Sequence, residues 1–254
     1  MKKIIVLLGL SFMFSLVSNA QILNIEQFRL EKDTSNVWYG NVSLGFSARK
    51  QGSEIRKIQG VGNLIYLSKK HSYMSLNRYS LLQVNDNSVI SEGYGHTRIN
   101  FNRTKKVSFE QFNQYQYDIA RKLNHRILTG MTIRFRLISK DKNRLSANTG
   151  FMYENENWQI SDTTTFDNIS IKSTSNINFR TTLHKKVIFY CIAYYQAKPE
   201  SFFKPRVTVD ASLQFLFTEK FSFNTSFVST YDEAYIIPIA ELIYNFKSTI
   251  SYTF

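Results

Sequence analysis

The sequence predicts an all-β fold: a transmembrane, up-and-down antiparallel β-barrel of about twelve strands that follows a cleaved signal peptide. Three features predict it, namely an apolar leader, long alternating segments from Val37 onward, and a last segment that ends on Phe254. Beyond the leader, no segment has 18 consecutive apolar residues, so a helical membrane span is not expected. A chain that crosses a membrane without such helices must form a closed barrel.

The first 20 residues have the order of a signal peptide. Two lysines precede a mainly apolar stretch at residues 4–14, and the small residues Ser18 and Ala20 follow it. The stretch is too short to span a bilayer as a helix, and small side chains stand where signal peptidase requires them. We expect cleavage after Ala20, with an uncleaved anchor as the alternative. Residues 21–36 would then form a periplasmic segment and residues 37–254 the barrel domain.

The middle of the chain divides into alternating segments bounded by polar residues. The clearest runs from Arg126 to Ile138, with an apolar face and a basic face. Two segments, 58–67 and 187–197, carry apolar residues on both faces, so their orientation stays unassigned. Short, mostly basic inner turns are expected at 69–71, 103–106, 140–143, 184–186 and 218–220, and outer connections at 51–54, 85–88, 155–166, 198–204 and 231–238.

The last segment places alternate residues from Ala240 to Phe254 on one mainly apolar face. A strand with lipid on one side and a polar lumen on the other needs this pattern. Its end resembles the C-terminal targeting signal of bacterial outer-membrane proteins, with Tyr252 and Phe254 as the assembly signal. The expected location is the outer membrane, and the expected partners are its lipid, the export machinery and the barrel-assembly machinery.

The chain is basic, with 32 Lys and Arg against 19 Asp and Glu. A nucleic-acid partner is not expected, because the cations are spread over turns and alternate strand positions and form no recognisable module. A single cysteine, Cys191, excludes an intramolecular disulfide. We interpret it as a small apolar residue in a strand.

The alternation assigns a set of charged side chains to the lumen. Cations modestly outnumber acids in this set, which would favour small anions in a narrow pore. A packed network of ion pairs is the equal alternative, because about eight strands are filled by side chains and about 16 leave an open channel. The candidate lumen residues are Arg98, Arg134, Arg136, Arg144, Lys172, Arg180, Arg206 and Lys247, with Glu92, Glu110, Asp118, Glu154, Asp210 and Glu241.

No catalytic or cofactor motif is recognisable, so we expect no cofactor, no metal and no enzymatic activity. The histidines are His71, His96, His125 and His184, and none has a metal-ligand spacing or is followed by Ser two residues later. A barrel hydrolase of lipid or peptide, with an Asp/His pair formed across strands, remains the alternative. A soluble periplasmic β-barrel binding protein is the third hypothesis.

Several segments resemble an uncharacterised family of salt-induced outer-membrane proteins, a domain of unknown function. They are Gly40–Phe46, Phe109–Asp118, Leu123 with Arg126, Leu128–Gly130, Arg134–Leu137 and Tyr194–Gln196. The resemblance covers most of the mature chain. It implies an outer-membrane barrel and a link to osmotic or salt stress, and it transfers no catalytic residues.

Overall fold

The chain forms one antiparallel sheet of twelve β-strands, which confirms the predicted all-β, up-and-down barrel architecture. The structure is a computed structural model that describes residues 36–51, 53–140, 142–184, 186–218, 221–232 and 242–252. The strands are β1 (Val37–Gln51), β2 (Ser53–Leu67), β3 (Ser72–Val84), β4 (Asn87–Phe101), β5 (Val107–Asp118), β6 (Leu123–Ser139), β7 (Asn143–Ser161), β8 (Thr164–His184), β9 (Val187–Ala197), β10 (Arg206–Leu216), β11 (Phe221–Asp232) and β12 (Leu242–Tyr252).

Each strand pairs with its neighbours in the sequence, and the sheet order is β1 to β12 without a crossover. The strands have 11 to 21 residues, whereas a tilted strand needs about 9–11 to cross a bilayer. Two short 3₁₀ helices, Ile119–Arg121 and Pro199–Ser201, lie in the connections that follow β5 and β9. Within the described ranges, no helix has the length and hydropathy to cross a membrane.

The chain reverses at all five predicted inner turns, because β2, β4, β6, β8 and β10 each end at one of them, and all five lie at one end of the sheet. That this end faces the periplasm stays a prediction. The same end of the sheet holds the start of β1, where Val37 pairs with Leu67, and the end of β12, where Tyr252 pairs with Phe221. We call this end the basic end. The described residues of its five connections are 68–71, 102–106, 140, 142, 186 and 217–218. The opposite end is called the outer end.

The predicted long connection at residues 155–166 is wrong. Strand β7 continues to Ser161 and β8 starts at Thr164, so the two strands form a long hairpin. The sequence predicts a loop here because the segment is polar on both faces. The two strands nevertheless stay paired, and their polar side chains also bond to one another: the Asn157 amide donates to Asp167 at 2.7 Å.

The turn at Asn85 and Asp86 is tight, and both residues have positive φ, 49° and 65°. A two-residue turn of this type matches the twist of the strands, and Asn and Asp tolerate the left-handed conformation. The Glu54 backbone N–H donates to the Asn85 side chain at 2.8 Å. The first two hairpins are therefore tied together at the outer end.

The sheet is strongly curved. Arg206 on β10 and Glu154 on β7 lie three strands apart, which is about 14 Å along a flat sheet. Their side chains meet nevertheless, with the Arg206 guanidinium 3.0 Å from the Glu154 carboxylate. The face that carries these two residues is therefore the inside of the curve, and we call it the inward face. The pairing register then assigns the faces of β2 and β9, whose orientation the sequence left open: Ile65 and Ile192 lie on the inward face.

Candidate functional site

Polarity is inverted between the two faces of the sheet. On the inward face, Glu154 and Glu156 are fully buried. On the outward face, apolar side chains such as Phe46 and Met131 are 72% and 67% exposed. A buried charge is costly unless it is paired, so the inward charges must be compensated by one another.

The largest charged group on the inward face, called the luminal cluster, consists of Arg126, Glu154, Glu156, Lys172, Arg206 and Asp232. Alternation along β7 places the two glutamates on one face, and Arg126 of β6 is directly opposite Glu156 in register. The Arg126 Nε lies 2.6 Å from Glu154 and 3.2 Å from Glu156. Lys172 of β8 pairs with the second oxygen of Glu154.

Arg206 connects the glutamates of β7 to Asp232 on β11, the strand next to its own. Its guanidinium donates to Glu154 at 3.0 Å and to Glu156 at 3.2 Å, and its Nε donates to Asp232 at 2.6 Å. The cluster thus holds three cations and three carboxylates drawn from β6, β7, β8, β10 and β11. The cluster is balanced in charge, and its members on β6, β7 and β8 are buried on the inward face.

A second inward group lies nearer the basic end. Arg98 and Asn100 of β4 donate to the buried carboxylate of Glu110 on β5, at 2.6 and 2.7 Å. The Arg98 Nε faces His96 Nε2 at 3.4 Å, and the His96 Nδ1 lies 3.0 Å from the Gln114 side-chain oxygen. Because an arginine can only donate, Nε2 is the acceptor and Nδ1 carries the proton. His96 therefore serves as a hydrogen-bonding link in the packing of the lumen.

The other residues assigned to the lumen from the sequence also lie on inward-face registers where the structure describes them. Arg134 is buried, 3.9 Å from Glu110, and Asp118 is buried at the end of β5. Arg144 is opposite Arg180, whose guanidinium lies 5.4 Å from the Tyr190 ring centroid. Arg136 is half-buried and donates to the Thr104 carbonyl at 3.3 Å. Glu92 and Asp210 are also half-buried. Lys247 is exposed and lies opposite Ser226 of β11.

Five assigned positions fall partly or wholly outside the described residues. Glu241, Phe254, Ser18 and Ala20 lie outside them, as does the leader as a whole. Of Tyr252, the backbone pairing with Phe221 is described.

Sequence reasoning missed three members of the luminal cluster. Glu156 and Asp232 lay in segments read as outer connections, and Arg126 stood at the first position of its predicted strand. A signal for Glu156 was present, because the alternate residues Met152, Glu154, Glu156 and Trp158 continue one face. No sequence signal links Asp232 to Arg206.

The remaining wall of the lumen, on β1 to β3 and β12, is more open. Its exposed inward side chains include the polar Asn41 and Ser43 and the charged Arg49, Arg78 and Lys247. On the described inward face every acid is buried or half-buried, so all the exposed charges there are cationic. In the described part of the chain, no three His, Cys, Asp or Glu side chains are grouped to hold a metal ion.

A comparison with known families finds one whose description is protein of unknown function, DUF481, and its model matches residues 42–235. No curated protein matches the chain. Among solved structures, one described as the NanC porin in a rhombohedral crystal form is similar, with a TM-score of 0.46 and 7% sequence identity. The match covers 84% of this chain and 99% of that chain.

Proposed function

The chain belongs to the family of proteins of unknown function DUF481, and we propose from its geometry that it is an outer-membrane β-barrel with a narrow pathway for small anions. The observation that carries the proposal is the division of the lumen into two parts. One part is occupied by the paired charges of the luminal cluster, and in the other part every exposed charge on the described inward face is a cation.

The outward face supports insertion into a membrane. Exposed apolar side chains follow one another along the strands, for instance Ile127, Met131, Ile133, Phe135 and Leu137 on β6. Soluble monomers rarely expose contiguous apolar patches larger than a few hundred Å². In a bilayer, the same side chains would face lipid and the polar inward face would be shielded from it.

The filled part of the lumen supports a narrow pathway. Twelve strands stand between the roughly eight whose lumen is filled by side chains and the 16 or more of open channels. Here Glu154, Glu156 and Glu110 are inaccessible to water and bound to cations. They cannot line a wide aqueous pore.

The open wall supports a preference for anions. A passing ion would meet Arg49, Arg78 and Lys247, whose side chains are exposed. Rings of Arg and Lys select for anions, because they replace part of the hydration that an anion loses in a narrow passage. The acids of the luminal cluster would not oppose this selection, since each is already paired.

Recording in planar bilayers tests the proposal. We expect small unitary current steps. Under a potassium chloride gradient, the reversal potential should have the sign expected when chloride carries most of the current. Arg78→Glu should shift the reversal potential towards potassium, whereas the charge-preserving Arg78→Lys should leave its sign unchanged. If purified, folded protein gives no current steps at any voltage, the pathway is refuted and a purely structural envelope role is left.

The finer parts of the proposal have their own tests. We propose that the chain is exported, that the barrel-assembly machinery inserts it, and that it acts under osmotic or salt stress. Deletion should then impair growth at high salt, and equal growth would remove the stress link. We propose no catalytic role, because His96 is held by Gln114 and Arg98. Turnover of phospholipid or peptide that His96→Ala abolishes would contradict this.

A further inference from the structure

The two ends of the barrel differ strongly in charge. Among the described residues, the connections of the basic end contain eight Lys and Arg and no acid. The described connections of the outer end contain four Lys and Arg against three acids. The positive charge of the described connections is therefore concentrated at the end where β1 begins and β12 ends.

Most cations of the basic end are exposed. Two serve the structure: the Arg103 Nε donates to the Ser68 carbonyl at 3.0 Å, and the Lys186 Nζ donates to the Phe217 carbonyl at 2.9 Å. These bonds join neighbouring connections and hold them in place. Six further lysines extend from the same connections into solvent: Lys69, Lys70, Lys105, Lys106, Lys140 and Lys142.

A row of aromatic rings lies on the outward face at the strand ends next to the connection that carries two of these lysines. The ring centroids of Trp38 on β1 and Tyr66 on β2 are 4.6 Å apart, and those of Tyr66 and Tyr73 on β3 are 6.0 Å apart. Lys69 and Lys70 follow in the connection between β2 and β3. Aromatic rings of this kind sit at the boundary between hydrocarbon and headgroups in membrane barrels.

We propose that the basic end binds the headgroups of anionic phospholipids in the leaflet that surrounds it. The inference rests on the proposed insertion into a membrane. The aromatic row would set the depth of the barrel, and lysines three and four residues beyond Tyr66 would then lie level with the phosphates. A lysine ammonium there gains from the negative surface potential and donates to phosphate oxygens. An acidic protein partner would not require aromatic rings on the outward face at the end of the sheet that carries the lysines.

The chain contains its own reporter for this interaction. It has two tryptophans. Trp38 is 63% exposed on the outward face beside the lysines, whereas Trp158 is 8% exposed on the inward face near the outer end. Trp158→Phe would leave Trp38 as a single fluorophore that lipid with brominated acyl chains quenches on contact.

The experiment compares brominated phosphatidylglycerol with brominated phosphatidylcholine in vesicles that hold the folded, full-length Trp158→Phe protein. At low ionic strength, we expect phosphatidylglycerol to associate about two- to fivefold more strongly, as expected for one exposed charge contact. Near 1 M salt the Debye length falls to about 3 Å, so the ratio of phosphatidylglycerol to phosphatidylcholine association should approach one. Equal quenching by both lipids at low salt would overturn the inference.

Matched variants locate the effect. Lys69→Gln with Lys70→Gln should abolish the preference for phosphatidylglycerol. Lys50→Gln with Lys204→Gln removes the same charge at the outer end and should leave the preference unchanged. An equal loss in both double variants would show a general charge effect and overturn the inference. If neither lipid quenches Trp38 at all, membrane insertion itself fails, and this outcome is distinct from equal quenching.

Discussion

Replacing Glu154 by glutamine removes one negative charge from the centre of the luminal cluster. The side chain is fully buried and accepts from Arg126, Lys172 and Arg206. After the change, three buried cations would share the carboxylates of Glu156 and Asp232. The shape of the side chain is almost unchanged, so the effect should be electrostatic.

The expected loss is large. Removing one partner from a buried ion pair costs about 3–5 kcal/mol of unfolding free energy, because a desolvated charge is left without compensation. The matched control is Glu54→Gln, the same change at an exposed pair in which Arg56 lies 2.6 Å away and the side chains are 44% and 38% exposed. An exposed pair contributes about 0.2–1 kcal/mol. The two variants should therefore differ by several kcal/mol.

Urea unfolding of the barrel in lipid vesicles, followed by gel mobility of unboiled samples, gives the unfolding free energy of each variant. Lys172→Met combined with Glu154→Gln removes one uncompensated cation, and it should recover part of the loss. This double variant keeps the prediction testable if Glu154→Gln alone does not fold. A loss below about 1 kcal/mol for Glu154→Gln, similar to Glu54→Gln, would refute the reasoning.

Three further predictions follow from the two faces of the sheet. Met131→Lys places a charge on the outward face and should cost about 2–4 kcal/mol of stability in vesicles, whereas Met131→Leu should be tolerated; equal stability would argue against a lipid-facing surface. Gly150→Ala should cost about 1–3 kcal/mol, because its Cβ would clash with the Met131 carbonyl oxygen. Gly62→Ala meets nothing within 4 Å and should change little, so a similar loss in both would contradict this. A protease site inserted at residues 162–163 should be cut on intact cells, and protection would reverse the expected orientation.

The strands could be predicted because their signal is local. Alternation places residues two apart on one face, so a polar lumen and an apolar outer surface appear directly as a period of two. The basic turns were recognisable for the same reason, since polar residues interrupt the alternation. The hairpin of β7 and β8 was missed where this signal weakens: Asn155, Asn157 and Gln159 make the outward face polar as well.

The luminal cluster was only partly predictable. Glu154, Lys172 and Arg206 could be assigned to the inward face one strand at a time. Their partners could not, because Arg206 and Glu154 are separated by 52 residues and three strands. From the sequence alone, these charges were compatible both with an open, anion-selective pore and with a packed network of ion pairs.

The sequence by itself determined the class of the protein, an approximate number of strands and which alternate residues share a face, because these follow from composition and a short period. Only the tertiary structure decided how those faces meet. The curvature of the sheet brings Arg206 to the glutamates of β7 and leaves Arg78 and Lys247 exposed on the opposite wall. Long-range Coulomb pairing depends on distance in space, which a pattern of residues along one strand does not contain.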